Sequence, residues 1–230
     1  MGKFLNYLPA NPTIELLVVS RFERLGIPQD RQRDTTAFLE PLRIKDPETH
    51  KHSLRVGLLT SSLCEFMHID AKAGLYAGLL HDIGKSQIRL ATLRKTDGWT
   101  LADSEDMKSH VMDGYRILRD YFDFTAEVII YHHRFQPNKY PEIIPLALHD
   151  YSEGTRVRIP LLGRLLSLAD VFDALHRIND KHDTETLTGE AIKQKMLEYN
   201  PDQRTFISEA YGAEIFTTSI FKEAGAAVAM

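Results

Sequence analysis

The stretch AKAGLYAGLLHDIGK, Ala71–Lys85, decides how the rest of this 230-residue chain is read. Asp70 stands before it as a helix N-cap, Leu75, Leu79 and Leu80 fall on one buried side, and Gly84 marks the stop. The spacing predicts a short apolar helix that delivers His81 and Asp82 at its end. Burying an imidazole and a carboxylate there without partners would cost a few kcal/mol. The pair therefore needs either solvent or a shared ligand, and the rest of the chain has to say which.

Outward from this helix the apolar period stays helical, and no convincing period-2 strand interrupts it. Asp46-Pro47 opens a helix through Leu54, Leu58, Leu59, Leu63 and Phe66 to about His68. Thr13–Leu25 and Asp34–Leu39 read as two helices before it, the second stopping before Pro41. Lys95–Leu101 reads as a turn around Asp97-Gly98. A helix from Asp103 or Ser104 carries Met107, Val111, Tyr115 and Leu118, and Thr125–Arg134 forms a short one. Gln136–Arg158 reads as a long loop. Pro160 opens a helix to about Ile178, a polar linker covers Asn179–Thr186, and Thr188 caps a further helix ending near Tyr199. One or two helices follow from Pro201. The prediction is an all-α bundle: an N-terminal helical extension (1–45), a core (46–186) and a C-terminal helical extension (187–230).

Composition narrows the function. Hydrophobic residues make up 43% of the chain, enough for a core, and the net charge is -4. A mildly acidic chain lacks the clustered cations that a nucleic-acid polymer demands. No apolar run reaches membrane-spanning length, and no leader pattern is visible, so the expectation is a cytoplasmic protein of bacterial type. Cys64 is the single cysteine. It lies in an apolar helical pattern and reads as a small core residue.

The chemistry lies in where the histidines fall. His52 is on the first core helix, His81-Asp82 end the next, and His110 is inside the following one. His132-His133 end the short helix, and Asp170 lies in the helix from Pro160. Each sits within or at the end of an apolar helix, and a shared metal would partner all of them at once. Imidazole with carboxylate suits iron or manganese foremost, with zinc, cobalt or nickel as alternatives, rather than calcium. Five or six such ligands exceed one tetrahedral site and point to two ions, which Asp82 can bridge. The chain also carries its own control. His149-Asp150 repeats the dipeptide inside the loop, lacks the following Ile-Gly-Lys, and is assigned no metal.

With these positions marked, four segments in order resemble the HD-domain metal-dependent phosphohydrolases, in particular the HD-GYP subgroup. They are HKHSLRV (His50–Val56), LLHDIGK (Leu79–Lys85), KTDGWTLADSEDMKSHVMDG (Lys95–Gly114) and GRLLSLADVFDAL (Gly163–Leu175). The resemblance implies an HD-domain helical bundle. It implies one metal held by His52, His81, Asp82 and Asp170, and a second held by Asp82, His110, His132 and His133. It makes Asp82 and Lys85 the catalytic pair, with Lys85 on the substrate phosphate. In some members an acidic residue at the place of Glu48 helps hold a third metal; its plainer reading is a first-turn helix acid. Arg134 and Lys139 are candidates to bind phosphate, and Asp173 to support a ligand histidine.

The expected reaction is phosphohydrolase or phosphodiesterase chemistry on a nucleotide or cyclic dinucleotide such as cyclic di-GMP, by a dinuclear metal-bound hydroxide. The subgroup's pattern breaks at HHRFQPNKYP, His132–Pro141. Tyr140-Pro141 survive, while the acidic residue after the paired histidines, the Asp-Gly and the last glycine do not. The basic residue expected after ADVFDAL is also replaced, with Asn179 near its place and Lys181 close by. Two alternatives follow: a degenerate nucleotide-sensing or partner-binding module, and a di-iron HD-domain oxygenase. His68, His176 and His182 read as surface or capping residues and His50 as solvated. Either terminal extension could serve as a homodimer or partner surface.

Overall fold

A computed structural model describes residues 13–176 and 187–217. Those residues form ten α-helices and two 3-10 turns, with no strand among them. In chain order the helices are α1 (Ile14–Arg24), α2 (Gln29–Lys45), α3 (Pro47–Phe66), α4 (Ala71–Leu80), α5 (Leu90–Leu93) and α6 (Leu101–Leu118), then α7 (Asp123–Ile129), α8 (Glu153–His176), α9 (Gly189–Tyr199) and α10 (Arg204–Gly212). The 3-10 turns are Ile83–Gln87 and Pro201–Gln203. The fold is all-α, as the apolar period predicts. No helix among the described residues is long and apolar enough to cross a membrane.

Helix α3 is the axis. It is apolar on more than one face, and Leu54, Val56, Leu58, Leu59, Leu63 and Cys64 are all buried. Helices α1, α2, α4 and α8 pack around it. The crossing with α4 is close because glycine meets glycine: a Cβ on Gly78 would lie 2.5 Å from the Gly57 Cα. Leu75, Leu79 and Leu80 of α4 are fully buried. Truncating any one of them to alanine should cost about 2–5 kcal/mol. Asp70 caps α4 as its sequence position predicts, accepting hydrogen bonds from the N–H groups of Lys72 (2.9 Å) and Ala73 (3.1 Å). Thr188 caps α9 in the same way, through Ala191 N–H at 3.2 Å.

Several expectations need correcting. Asp46-Pro47 does open α3, but the Asp46 carboxylate accepts from the Thr49 hydroxyl at 2.5 Å rather than from a backbone N–H. Helix α2 runs from Gln29 to Lys45, straight through Pro41. The missing N–H at Pro41 costs a helical bond, yet buried Leu39 and Leu42 on either side hold the helix to the core. Helix α6 starts at Leu101, earlier than predicted, because Thr100 and Asp103 form a reciprocal capping box. Helix α8 begins at Glu153, two turns before Pro160, which lies inside it. The predicted short helix through Arg134 stops at Ile129, so the paired histidines stand in turns beyond it. His50 is buried rather than solvated. His68 adopts a left-handed φ of 55° at the end of α3, a capping position. His182, Asn179, Lys181 and the predicted linker lie outside the described residues, as does the Ala-rich end.

Candidate metal centre

Five separate elements converge on one buried point. His52 comes from α3, His81 from the C-cap of α4, and Asp82 from the residue before the first 3-10 turn. His110 comes from α6, His132 and His133 from the turns after α7, and Asp170 from α8. His52, His81 and Asp170 each place a ligand atom so that all three lie within 4.8 Å of one another. His110, His132 and His133 form a second such group. Asp82 stands between them. Its Oδ2 is 3.4 Å from His52 Nε2 and 3.3 Å from His81 Nε2, while its Oδ1 is 3.4 Å from His110 Nε2. One carboxylate thus turns one oxygen to each group.

Burial and hydrogen bonding fit a cation. His52, His81, Asp82, His110 and His132 are all buried, and Asp170 nearly so. His81 Nε2, Asp82 Oδ1 and His133 Nδ1 are buried with no hydrogen-bond partner among the described residues, which is costly unless something else satisfies them. The opposite ring nitrogens are spoken for. His81 Nδ1 donates to Gly78 O at 2.8 Å, His110 Nδ1 to Met107 O at 2.5 Å, and His132 Nδ1 to Ile129 O. Because each acceptor is a carbonyl, Nδ1 must carry the hydrogen, and Nε2 presents its lone pair to the centre. This is the arrangement that orients metal-bound imidazoles.

The electrostatics agree. Burial holds His110 and His132 down to about 3, so both rings are neutral at physiological pH. Burial likewise depresses His133, with His132 adding to it. Burial alone would raise the Asp82 carboxyl; His81, the Lys85 ammonium and His52, all beside it, outweigh burial and hold Asp82 well below the usual carboxylate range. Asp170 is held down against burial in the same way, by His52 and His81. At His110, His132 and His133 the centre therefore offers neutral imidazoles, and at Asp82 and Asp170 ionised carboxylates, the protonation states that bind metal.

Lys85 places Nζ 2.5 Å from Asp82 Oδ2. It also lines a cleft of about 480 Å³ that opens onto the centre, with His110, His133, Tyr140 and Asp170 along its wall. Gly84 makes this placement possible. A Cβ there would sit 1.9 Å from the carbonyl oxygen of His110 and 2.5 Å from Gly114 N, so the turn lies directly on α6.

The structure does not bring every predicted residue together. Glu48 has a 76% exposed side chain in the first turn of α3 and pairs with Lys51 at 3.4 Å. Arg134 is taken up by its own loop, donating to the carbonyls of Pro141 (2.7 Å) and Glu142 (3.2 Å). Lys139 is exposed and does not line the cleft. His133 joins the second group because it sits in a turn, where adjacent side chains are not held 100° apart as on a helix. Sequence reasoning missed the contribution of the C-terminal extension, whose Tyr199 and Asn200 line the cleft. Buried Arg164 ties that segment down, donating to Asn200 Oδ1 at 2.9 Å and to Asp202 Oδ1 at 2.6 Å. It missed Arg55 as well. The signal was present, since Arg55 follows His52 by three residues on one helix face as Asp173 follows Asp170.

Fold and centre together define a class. The family profile described as HD domain matches residues 49–175, more than half of the chain, and the chain belongs to this family. Within it, the chain is 34% identical over 140 residues to a cyclic di-GMP phosphodiesterase of Thermotoga maritima, covering 57% of this chain and 35% of that protein. It is 32% identical over 153 residues to the cyclic di-GMP phosphodiesterase PA4108 of Pseudomonas aeruginosa, covering 62% and 34%. It is 27% identical over 150 residues to the 3'3'-cGAMP-specific phosphodiesterase 3 of Vibrio cholerae, covering 61% and 30%. The chain spans about a third of the length of these relatives. Among solved structures, the HD domain of the L. monocytogenes phosphodiesterase PgpH is similar over 81% of this chain and 92% of its own, with 18% identity and a TM-score of 0.49.

Proposed function

We propose that this chain is a metal-dependent phosphodiesterase acting on a nucleotide, with a cyclic dinucleotide such as cyclic di-GMP as the foremost substrate. Residues 46–186 would form the catalytic core, and the C-terminal extension would contribute Tyr199 and Asn200 to the substrate wall. The observation that carries the reading is Asp82, one buried carboxylate shared between two three-ligand groups. His52, His81 and Asp170 would hold one divalent ion and His110, His132 and His133 the other, with iron or manganese the best match to the donors. When bound, such a pair supplies charge for the phosphoryl oxygens and a water acidified from 15.7 towards about 7.

The chain's own residues would do the rest. Lys85 reaches both Asp82 and the cleft, where its ammonium would neutralise charge growing on a phosphoryl oxygen. The histidine Nδ1–H bonds to backbone carbonyls keep the Nε2 lone pairs aimed inward without reorganisation. Tyr140 stacks on His133 at a ring separation of 4.4 Å and walls the second group from the loop side. The test is metal analysis of purified protein with a phosphate-ester panel that includes cyclic di-GMP and 3'3'-cGAMP. Two ions per chain and metal-dependent release of a linear dinucleotide are the expected result. The altered segment His132–Pro141 supports a second reading, a nucleotide-sensing module. Tight dinucleotide binding without hydrolysis by metal-loaded protein would select it.

A further inference from the structure

Three of the centre's histidines lean on backbone carbonyls, at Gly78, Met107 and Ile129. His52 leans on side chains. Its Nδ1 donates to Asp173 Oδ2 at 2.6 Å. Asp173 is gripped in turn by Arg55, through Nε to Oδ1 at 2.6 Å and Nη2 to Oδ2 at 3.0 Å. All three residues are buried. His52 and Arg55 lie three residues apart on α3, and Asp170 and Asp173 three apart on α8, so the helix pair presents two layers. The inner layer pairs His52 Nε2 with Asp170 Oδ1 at 3.2 Å, and the outer layer is the Arg55–Asp173 ion pair. A buried ion pair is a weak source of stability, because desolvation offsets its attraction. Its placement behind a single ligand ring suggests another use.

We infer that Arg55 and Asp173 act as one positioning unit for His52. Asp173 selects the Nδ1–H tautomer and fixes the ring plane, so that Nε2 faces the His52–His81–Asp170 position. Arg55 fixes both carboxylate oxygens, so that Asp173 cannot rotate away. Occupancy of that one position depends on the unit, while the His110–His132–His133 position, whose His110 and His132 rings are set by backbone carbonyls, does not. The inference rests on the two-ion reading above for its metal consequence, but not for its tautomer consequence.

The experiment is ¹⁵N imidazole NMR on metal-free full-length protein, followed by manganese titration monitored by electron paramagnetic resonance. Wild type should show His52 protonated at Nδ1. Asp173→Asn presents an amide that can donate to Nδ1, so the ring should change to the Nε2–H tautomer. Manganese affinity at one position should then fall about 10–100-fold, with the other unchanged and the coupled two-ion signal replaced by that of an isolated ion. Arg55→Lys keeps the charge but not the fork, and should give a smaller loss at the same position. It also serves if Asp173→Asn does not fold. An unaltered His52 tautomer together with wild-type affinity at both positions would overturn the inference. Wild type that binds fewer than two ions would overturn the two-ion reading instead, and the ring-nitrogen spectra would still decide the role of Asp173.

Discussion

The dipeptide His-Asp occurs twice in this chain, and its two copies live in opposite surroundings. His81 and Asp82 are buried, and the Asp82 carboxylate lies three to four ångströms from His52, His81 and His110. His149 and Asp150 lie on the surface. There His149 Nε2 bonds Asp123 Oδ2 at 2.6 Å and Asp150 pairs with Arg156 at 2.6 Å. Both copies contain good metal-binding groups, so residue type does not separate them. What separates them is what the fold brings alongside. The first copy ends an apolar helix that α2, α3, α7 and α8 surround, and the second ends a loop with charged side chains within reach. Removing one carboxylate from each should therefore give the widest divergence in the molecule. Asp82→Ala should lose both metal ions and reduce hydrolysis to background, and Asp150→Ala should alter neither. Metal analysis and turnover on the two variants side by side would check this; an Asp82→Ala protein that retains metal and activity would end the assignment.

Acid should distinguish the two regions next. His110 and His132 are held at about 3 in the fold against an ordinary value of 6.5. Between those limits the unfolded chain binds protons at these positions and the folded chain does not. Stability of the metal-free protein therefore falls as pH drops below 6.5, by up to about 1.4 kcal/mol per pH unit for each histidine. Asp82 and Asp170, depressed in the fold, contribute stability that is complete above the unfolded carboxylate value and is lost only below it, so they do not mask the effect at pH 5. Urea unfolding of chelator-treated protein at pH 7 and pH 5 should register a loss of a few kcal/mol. Equal stabilities would mean that the histidines of the centre are solvated.

How much of this could be read in advance follows the same division. Local signals were good guides where a single residue acts on its own backbone, as Asp70 and Thr188 do at the starts of α4 and α9. They misled where burial overrides a local preference. Pro41 and Pro160 each lie inside a helix because the apolar residues beside them, Leu42 and Ile159, are held in the core. The positions of His52, His81, Asp82, His110 and Asp170 were readable because each breaks an apolar pattern. Asp173 was readable as support for a ligand histidine, but its partner Arg55 was harder to find, because 118 residues separate the two and only the matching three-residue steps from His52 and Asp170 connect them. That Arg134, a candidate to bind phosphate, also donates to the carbonyls of its own loop is something no sequence rule reveals.

Glycines near the two dipeptides offer a sharper contrast in packing. Gly84 follows Asp82 by two residues and has backbone atoms of α6 where a Cβ would go. Gly154 follows Asp150 by four residues and has open space. Because backbone cannot step aside as a flexible side chain can, Gly84→Ala should destabilise by about 2–3 kcal/mol and lift the turn carrying Lys85 away from His110. Gly154→Ala, in the first turn of α8, should be neutral or stabilise by a few tenths of a kcal/mol through helix propensity. Thermal unfolding would rank them, and equal effects would mean that the contact at Gly84 is looser than the structure has it.

The smallest effect belongs to the surface pair itself. The His149–Asp123 bond is as short as His52–Asp173, and on distance alone the two would rank together. Yet its side chains are 54% and 32% exposed, and water competes for both groups. A pair in that setting stabilises by about 0–1 kcal/mol, screened further by salt. His149→Ala should therefore move the denaturation midpoint slightly, leave the acid sensitivity of the metal-free protein unchanged, and leave metal content at wild-type level. A large shift in any of the three would show that the second His-Asp copy is coupled to the centre. The lesson drawn from the pair, that desolvation by neighbouring helices and not the dipeptide makes a ligand, would then have to be given up.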